Sequence, residues 1–283
     1  MRTLLIWLLL VLPLSAETPD KTMELCEELF VPAGPGIGCR FVESCYLLTL
    51  GGMRPYGAWN GFMTDPKPED DAALADLNRF LEPRGLRLEP QGKASFSLYS
   101  LEGLERCTGR SRLSWVPPFR HSEGWEGFER WKKECFRRLD QVPCRLGQTR
   151  GHLFEGLMLG YPDAAIEHYE ELNPGSPTTI TSFAPAIDYY ECGLPAYDLR
   201  AQDINHPEIL ACEKDWGDFL RAAYESEPHR RLEQNPAFRD ARRDRLHWNW
   251  KGQIDFTSRE GGGSEGSGVG GRRLEPGPRT LPP

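Results

Sequence analysis

GHLFEGLMLGYPDAAIEHYEELN, residues 151–173, is the stretch against which the rest of the chain is best read. Leu153, Phe154, Leu157 and Met158 recur at one-turn spacing, which predicts a helix with one apolar face. Gly160 follows where a left-handed C-terminal cap is needed, a conformation glycine adopts without a Cβ clash. Pro162 suits the first turn of a second helix, and Asp163 puts negative charge near its positive N-terminal end. Ile166, Tyr169 and Leu172 supply that helix's apolar stripe, and Asn173-Pro174 stops it. The stretch is a helical hairpin with two faces to bury.

Its polar residues carry two readings. His152 and Glu155 are three apart, as are His168 and Glu171, so each pair shares a helix face and offers two metal ligands. Di-metal carboxylate bundles use the order Glu-x-x-His with further glutamates from other helices. Here the order is reversed, and a solvated face explains the same residues. Glu155, Asp163 and Glu167, beside the turn, are the first candidates for acid–base chemistry, with helix-dipole and solvent-facing roles as the alternative.

The 283-residue chain has room for one large domain or two ordinary ones. A hydrophobic content of 39% is enough to build a core, which argues against a disordered chain. The net charge of −8 argues against a nucleic-acid partner, which requires a basic face. Arg2, the apolar run Leu4–Leu12 and the small residues at Ser15 and Ala16 have the layout of a secretory signal. That run is short of the roughly 20 residues a membrane-spanning helix needs. No transmembrane segment is expected after cleavage. The chain is therefore expected to be secreted, or held in a periplasm or cell envelope.

Eight cysteines follow the expected cut: Cys26, Cys39, Cys45, Cys107, Cys135, Cys144, Cys192 and Cys212. In an oxidising compartment they permit up to four disulfides, with on the order of a hundred connectivities. Sequence proximity suggests Cys39 with Cys45, Cys135 with Cys144, and Cys192 with Cys212. Buried thiols acting as small hydrophobes are the alternative.

Along the chain, residues 23–29 suggest a short helix and residues 32–38 a Pro/Gly loop. Aromatic and β-branched residues over 41–50 predict a strand. Residues 53–66 lack a period and form an aromatic loop whose Tyr56, Trp59 and Phe62 suit a flat ligand, or simply close over a core. A helix is predicted over 69–81, strands over 86–89 and 94–99, and a helix over 101–107 capped by Ser100. Residues 112–116 suggest another strand, and 123–139 a long helix capped by Ser122. Residues 174–185 read as a loop and 207–224 as a helix that Pro228 ends. Beyond it, Asn235-Pro236 can start a further helix in an arginine-rich segment, read as an exposed salt-bridged helix or a basic patch.

The expected fold class is α+β: a signal peptide over 1–16, a mixed strand/helix domain over 17–145, a mainly helical domain over 146–257, and a disordered Gly/Pro/Arg tail over 258–283. No nucleophile elbow, phosphate-binding loop or His-Glu-x-x-His occurs, and no cofactor is expected. Two function classes follow. One is a non-catalytic exported module that binds a protein, an envelope component or a small ligand. The other is a secreted hydrolase, metal-dependent or not, that uses the His and Glu residues of the 151–173 hairpin.

Overall fold

The computed structural model describes residues 18–58, 68–91, 95–142, 150–169, 179–183, 196–200 and 205–242. Its helices are α1 (Pro19–Gly38), α2 (Ser44–Leu50), α3 (Pro68–Leu81), α4 (Leu101–Arg110), α5 (Gly124–Leu139), α6 (Arg150–Met158), α7 (Asp163–Tyr169), α8 (Pro207–Glu225) and α9 (Glu227–Gln234). A further helix, α10, runs over 236–242. The strands are β1 (Tyr56–Ala58), β2 (Leu86–Gln91), β3 (Ser95–Ser100), β4 (Thr179–Phe183) and β5 (Ala196–Arg200). The fold is α+β, with a small antiparallel sheet in the N-terminal half and a mainly helical C-terminal region.

β3 is the central strand, between β1 and β2, with Leu98 opposite both Gly57 and Leu88. As the central strand it is buried on both faces at its middle. Ser97 is as buried as Leu98, and its hydroxyl donates to the Tyr56 phenol oxygen at 2.9 Å. α3 closes the β2 edge: Asn78 Nδ2 donates to Leu88 O at 2.8 Å, and Asn78 Oδ1 accepts from Leu88 N at 2.7 Å. An amide side chain thus stands in for a neighbouring strand.

Several local expectations are corrected. Residues 44–50 form α2, not a strand, and all of them are buried. A segment buried on every side shows no sequence period, so its β-branched and aromatic content reads as strand propensity. A helix, however, satisfies its own backbone. Thr49 Oγ1 adds a bond to Cys45 O at 2.9 Å, and Tyr46 OH reaches Phe96 O at 2.9 Å. α1 runs on through the expected loop at 32–38 with a kink at Gly34, whose φ of 72° breaks the helical run. Residues 56–58 of the expected aromatic loop are β1. Residues 112–116 form no strand. β4 lies inside the expected loop over 174–185, paired antiparallel with β5.

α5 starts at Gly124, because that glycine's φ of 63° separates it from a 3₁₀ turn at His121–Glu123. Ser122 therefore sits in that turn and is not the cap. α8 ends at Glu225, and Pro228 lies in the first turn of α9, where Ser226 Oγ accepts from His229 N at 3.3 Å.

Two apolar clusters fill the interior. The first joins α1, α2, α3 and the sheet to α8, including Met23, Leu29, Leu47, Leu88, Trp216 and Leu220. The second joins α4, α5 and α6 around Leu104, Phe128, Trp131, Leu139 and Leu157. Both draw on residues either side of 145, and Tyr161 packs against both. Tyr224 OH donates to Val42 O at 2.6 Å, and Arg231 pairs with Glu27 at 2.7 Å, so α8 and α9 are tied to α1 and the segment after it by polar contacts as well.

Candidate functional site

The α6–α7 turn is built as its sequence predicts. Gly160 has φ 74°, and a Cβ there would lie 2.8 Å from Arg54 Cβ, so only glycine meets both demands. Gly156 lets the two helices meet: an added Cβ would stand 3.3 Å from Ile166 Cγ1. Leu153, Leu157, Met158 and Ile166 are buried.

Asp163 is the first residue of α7, and its carboxylate reaches across to the end of α4. It accepts from Ser111 Oγ at 2.9 Å and from Arg112 N at 2.5 Å. The side chain therefore joins two elements as well as favouring the helix dipole. Glu155 and Glu167 are exposed, as is His152. Among the described residues, no group of three His, Cys, Asp or Glu side chains is placed to hold a metal ion. His168 lies in α7, and Glu171 falls outside the described residues. Tyr56 is half-buried in β1, its ring 5.0 Å from that of Tyr99. Trp59 and Phe62, expected beside it as ligand contacts, lie outside the described residues, as do the expected signal at 1–16 and the expected tail at 258–283.

The six described cysteines, Cys26, Cys39, Cys45, Cys107, Cys135 and Cys212, are all buried thiols, and no disulfide joins them in this structure. Cys144 and Cys192, which the expected pairings gave to Cys135 and Cys212, lie outside the described residues. Cys26 Sγ donates to Phe41 O at 3.5 Å and Cys107 Sγ to Leu157 O at 3.5 Å.

A cleft of about 350 Å³ opens beside the hairpin turn. Its walls are the end of α4 with the two residues after it, the Tyr161–Asp163 turn, and the first half of α8. Arg110 and Arg112 face Glu208 and Asp215 across it, and Arg112 pairs with Glu208 at 3.5 Å. Cys107 and Cys212 line its inner part. Burial pushes the Cys107 thiol up, against the pull of Arg110, and pushes Cys212 up to about 12. Both thiols are therefore protonated near neutrality and poor nucleophiles.

Next to the cleft lies Arg54, which sequence reasoning passed over. It is 1% exposed, and burial lowers its pKa, opposed by Tyr161, Cys45, Cys212 and Tyr56. Among the described residues it makes no ion pair, and its Nε and Nη1 meet no acceptor. Its guanidinium carbon stands 5.8 Å from the centre of the Trp216 ring. Nothing in the run Gly-Gly-Met-Arg-Pro at 51–55 marks that arginine as interior, because it belongs to no periodic element.

Elsewhere, polar clusters serve as braces. Glu105 accepts from Arg120 Nη1 at 3.2 Å and from His121 N at 3.1 Å, with a further short contact to the His121 ring. Burial raises its pKa, but these bonds outweigh that and hold its carboxyl below the ordinary range. In the arginine-rich segment, Arg230, Arg231 and Arg242 pair with Glu227, Glu27 and Glu233.

No protein-family model, no curated protein and no solved structure matches this chain.

Proposed function

We propose that the protein is a non-catalytic exported binding module whose ligand is a small molecule held in the cleft between α4, the α6–α7 turn and α8. The cleft supports this. It has the size of a small-ligand site, a floor containing two protonated thiols, and charges of both signs at its rim. Its glycine-dependent turn and the Asp163 bridge to α4 hold the walls in place without a ligand, which favours binding by a preformed site. The groups that hydrolysis would draw on are otherwise occupied: Asp163 carries two structural hydrogen bonds, and Glu155 and Glu167 are exposed on the helices outside the cleft lining.

The test is a ligand-detected NMR screen of small carboxylates, phosphates, amines and sugars, with Ala211→Trp filling the cleft as the control. At least one class is expected to bind the wild type and to lose at least about tenfold in affinity in A211W. If no compound gives a signal that A211W abolishes, the cleft is not a ligand site. If a bound compound is turned over, the protein is an enzyme and not a binding module.

A further inference from the structure

Arg54 and Trp216 present an unusual combination of groups. Both are buried, at 1% and 0% exposure. Arg54 Nε and Nη1 and Trp216 Nε1 are all donors without an acceptor among the described residues. Buried polar groups are nearly always paired, and a buried guanidinium without a counter-charge is among the least favourable. The side chains that act most on Arg54 are Tyr161, Cys45, Cys212 and Tyr56, none of them a carboxylate.

The position is also rigid. A Cβ at Gly103 would lie 2.1 Å from Arg54 O, and one at Gly160 would lie 2.8 Å from Arg54 Cβ. Two glycines thus admit the Arg54 backbone between α4 and the hairpin turn, and the residue is clamped where its side chain stays interior. Tyr161 and Cys212 both border Arg54 electrostatically and line the cleft. Tyr161 is half-buried and follows Gly160 directly, so the hairpin turn places it beside both the open cleft and the arginine.

Three donors, two of them on one guanidinium cation, ask for an occupant that only accepts and is negatively charged. We propose that Arg54 and Trp216 recognise an oxyanion, the phosphate or carboxylate group of the ligand that occupies the cleft. The guanidinium fork matches the spacing of two oxygens on such a group, and the indole N–H is a further donor beside it. The proposal rests on the cleft being a ligand site. It adds that the ligand is an anion and that its charged end points inward, toward Arg54.

The experiment measures thermal shift and calorimetric affinity for inorganic phosphate and for acetate, each against chloride at equal ionic strength. The proteins are the wild type, R54M, W216F and A211W. At least one anion is expected to raise the wild-type Tm, with affinity falling about tenfold in R54M and several-fold in W216F. A response to phosphate alone identifies a phosphate ligand, and to acetate alone a carboxylate. If R54M does not fold, W216F, which keeps an aromatic side chain there and removes the donor, decides the matter. The proposal is overturned if neither anion shifts the wild type, if R54M or a folded W216F keeps wild-type affinity, or if the anion response survives in A211W. A cleft ligand that A211W blocks and R54M binds normally would leave the cleft as a binding site and remove the oxyanion from it.

Discussion

Trp131 in α5 and Trp216 in α8 occupy similar places in the two apolar clusters: each lies on the buried face of a long helix, 4% and 0% exposed. Trp131 Nε1 donates to Pro117 O at 2.8 Å, and its ring sits among Phe119, Phe128 and Phe154. Trp216 Nε1 has no acceptor among the described residues, and its neighbour is the guanidinium of Arg54. One tryptophan has its hydrogen bond satisfied within the fold, and the other is left with a donor unspent. A fold with enough apolar surface to be stable can tolerate such a gap, and tolerated gaps concentrate where ligands bind.

The sharpest way to break this contrast is at the shared turn. Gly160→Val combines a left-handed backbone with a clash against Arg54 Cβ. It is expected to cost about 3 kcal/mol in urea denaturation. A cost near zero would show that Arg54 is not clamped as described. Arg54→Met comes next, with the opposite sign. Replacing an unpaired buried cation by an apolar side chain of similar length is expected to stabilise the protein by about 2 kcal/mol. A destabilisation of that size would mean that the guanidinium has a structural partner.

The tryptophans themselves can then be compared. Both Trp→Phe changes leave part of the buried indole volume empty, but Trp131→Phe also strands Pro117 O and is expected to cost about 1.5 kcal/mol more than Trp216→Phe, which removes a donor that has no acceptor among the described residues. Equal costs for the two would erase the distinction between the clusters. The smallest effect is on pH dependence. Burial lowers the pKa of His229, outweighing Glu233 and the bond to Tyr224 O at 2.9 Å, while Arg242 lowers it further. Its neutral form is thus favoured in the fold, so its contribution is complete above about pH 6.5 and is lost as the pH falls through the lowered folded value. Stability is expected to fall as the pH drops from about 7 to about 5, and His229→Gln should flatten that part of the curve.

Much of the architecture was legible where a segment has one wet face and one dry. α3, α8 and the α6–α7 turn all show helical spacing, and Ile209, Cys212, Trp216, Phe219 and Ala223 are buried along α8 as that spacing requires. The cap at Ser100 was legible too, because its hydroxyl accepts from Gly103 N at 3.1 Å, a bond between residues three apart. α2 was not, since all its residues are buried and no period survives. Of the candidate site, Asp163 and the turn at Gly160 were visible as local features. The cleft was not, because Cys107, Asp163 and Cys212 meet only through the packing of α4, α7 and α8.

The sequence by itself determined the elements whose causes are local: capped and amphipathic helices, a left-handed glycine, and the two strands that became β2 and β3. Periodicity and capping act within a few residues, so they can be read along the chain. Only the tertiary structure decided that Arg54 lies inside, that Trp216 stands beside it, and that Cys107 and Cys212 line one cleft. Those relations join residues more than a hundred positions apart, and which donors find acceptors there depends on the packing of whole elements.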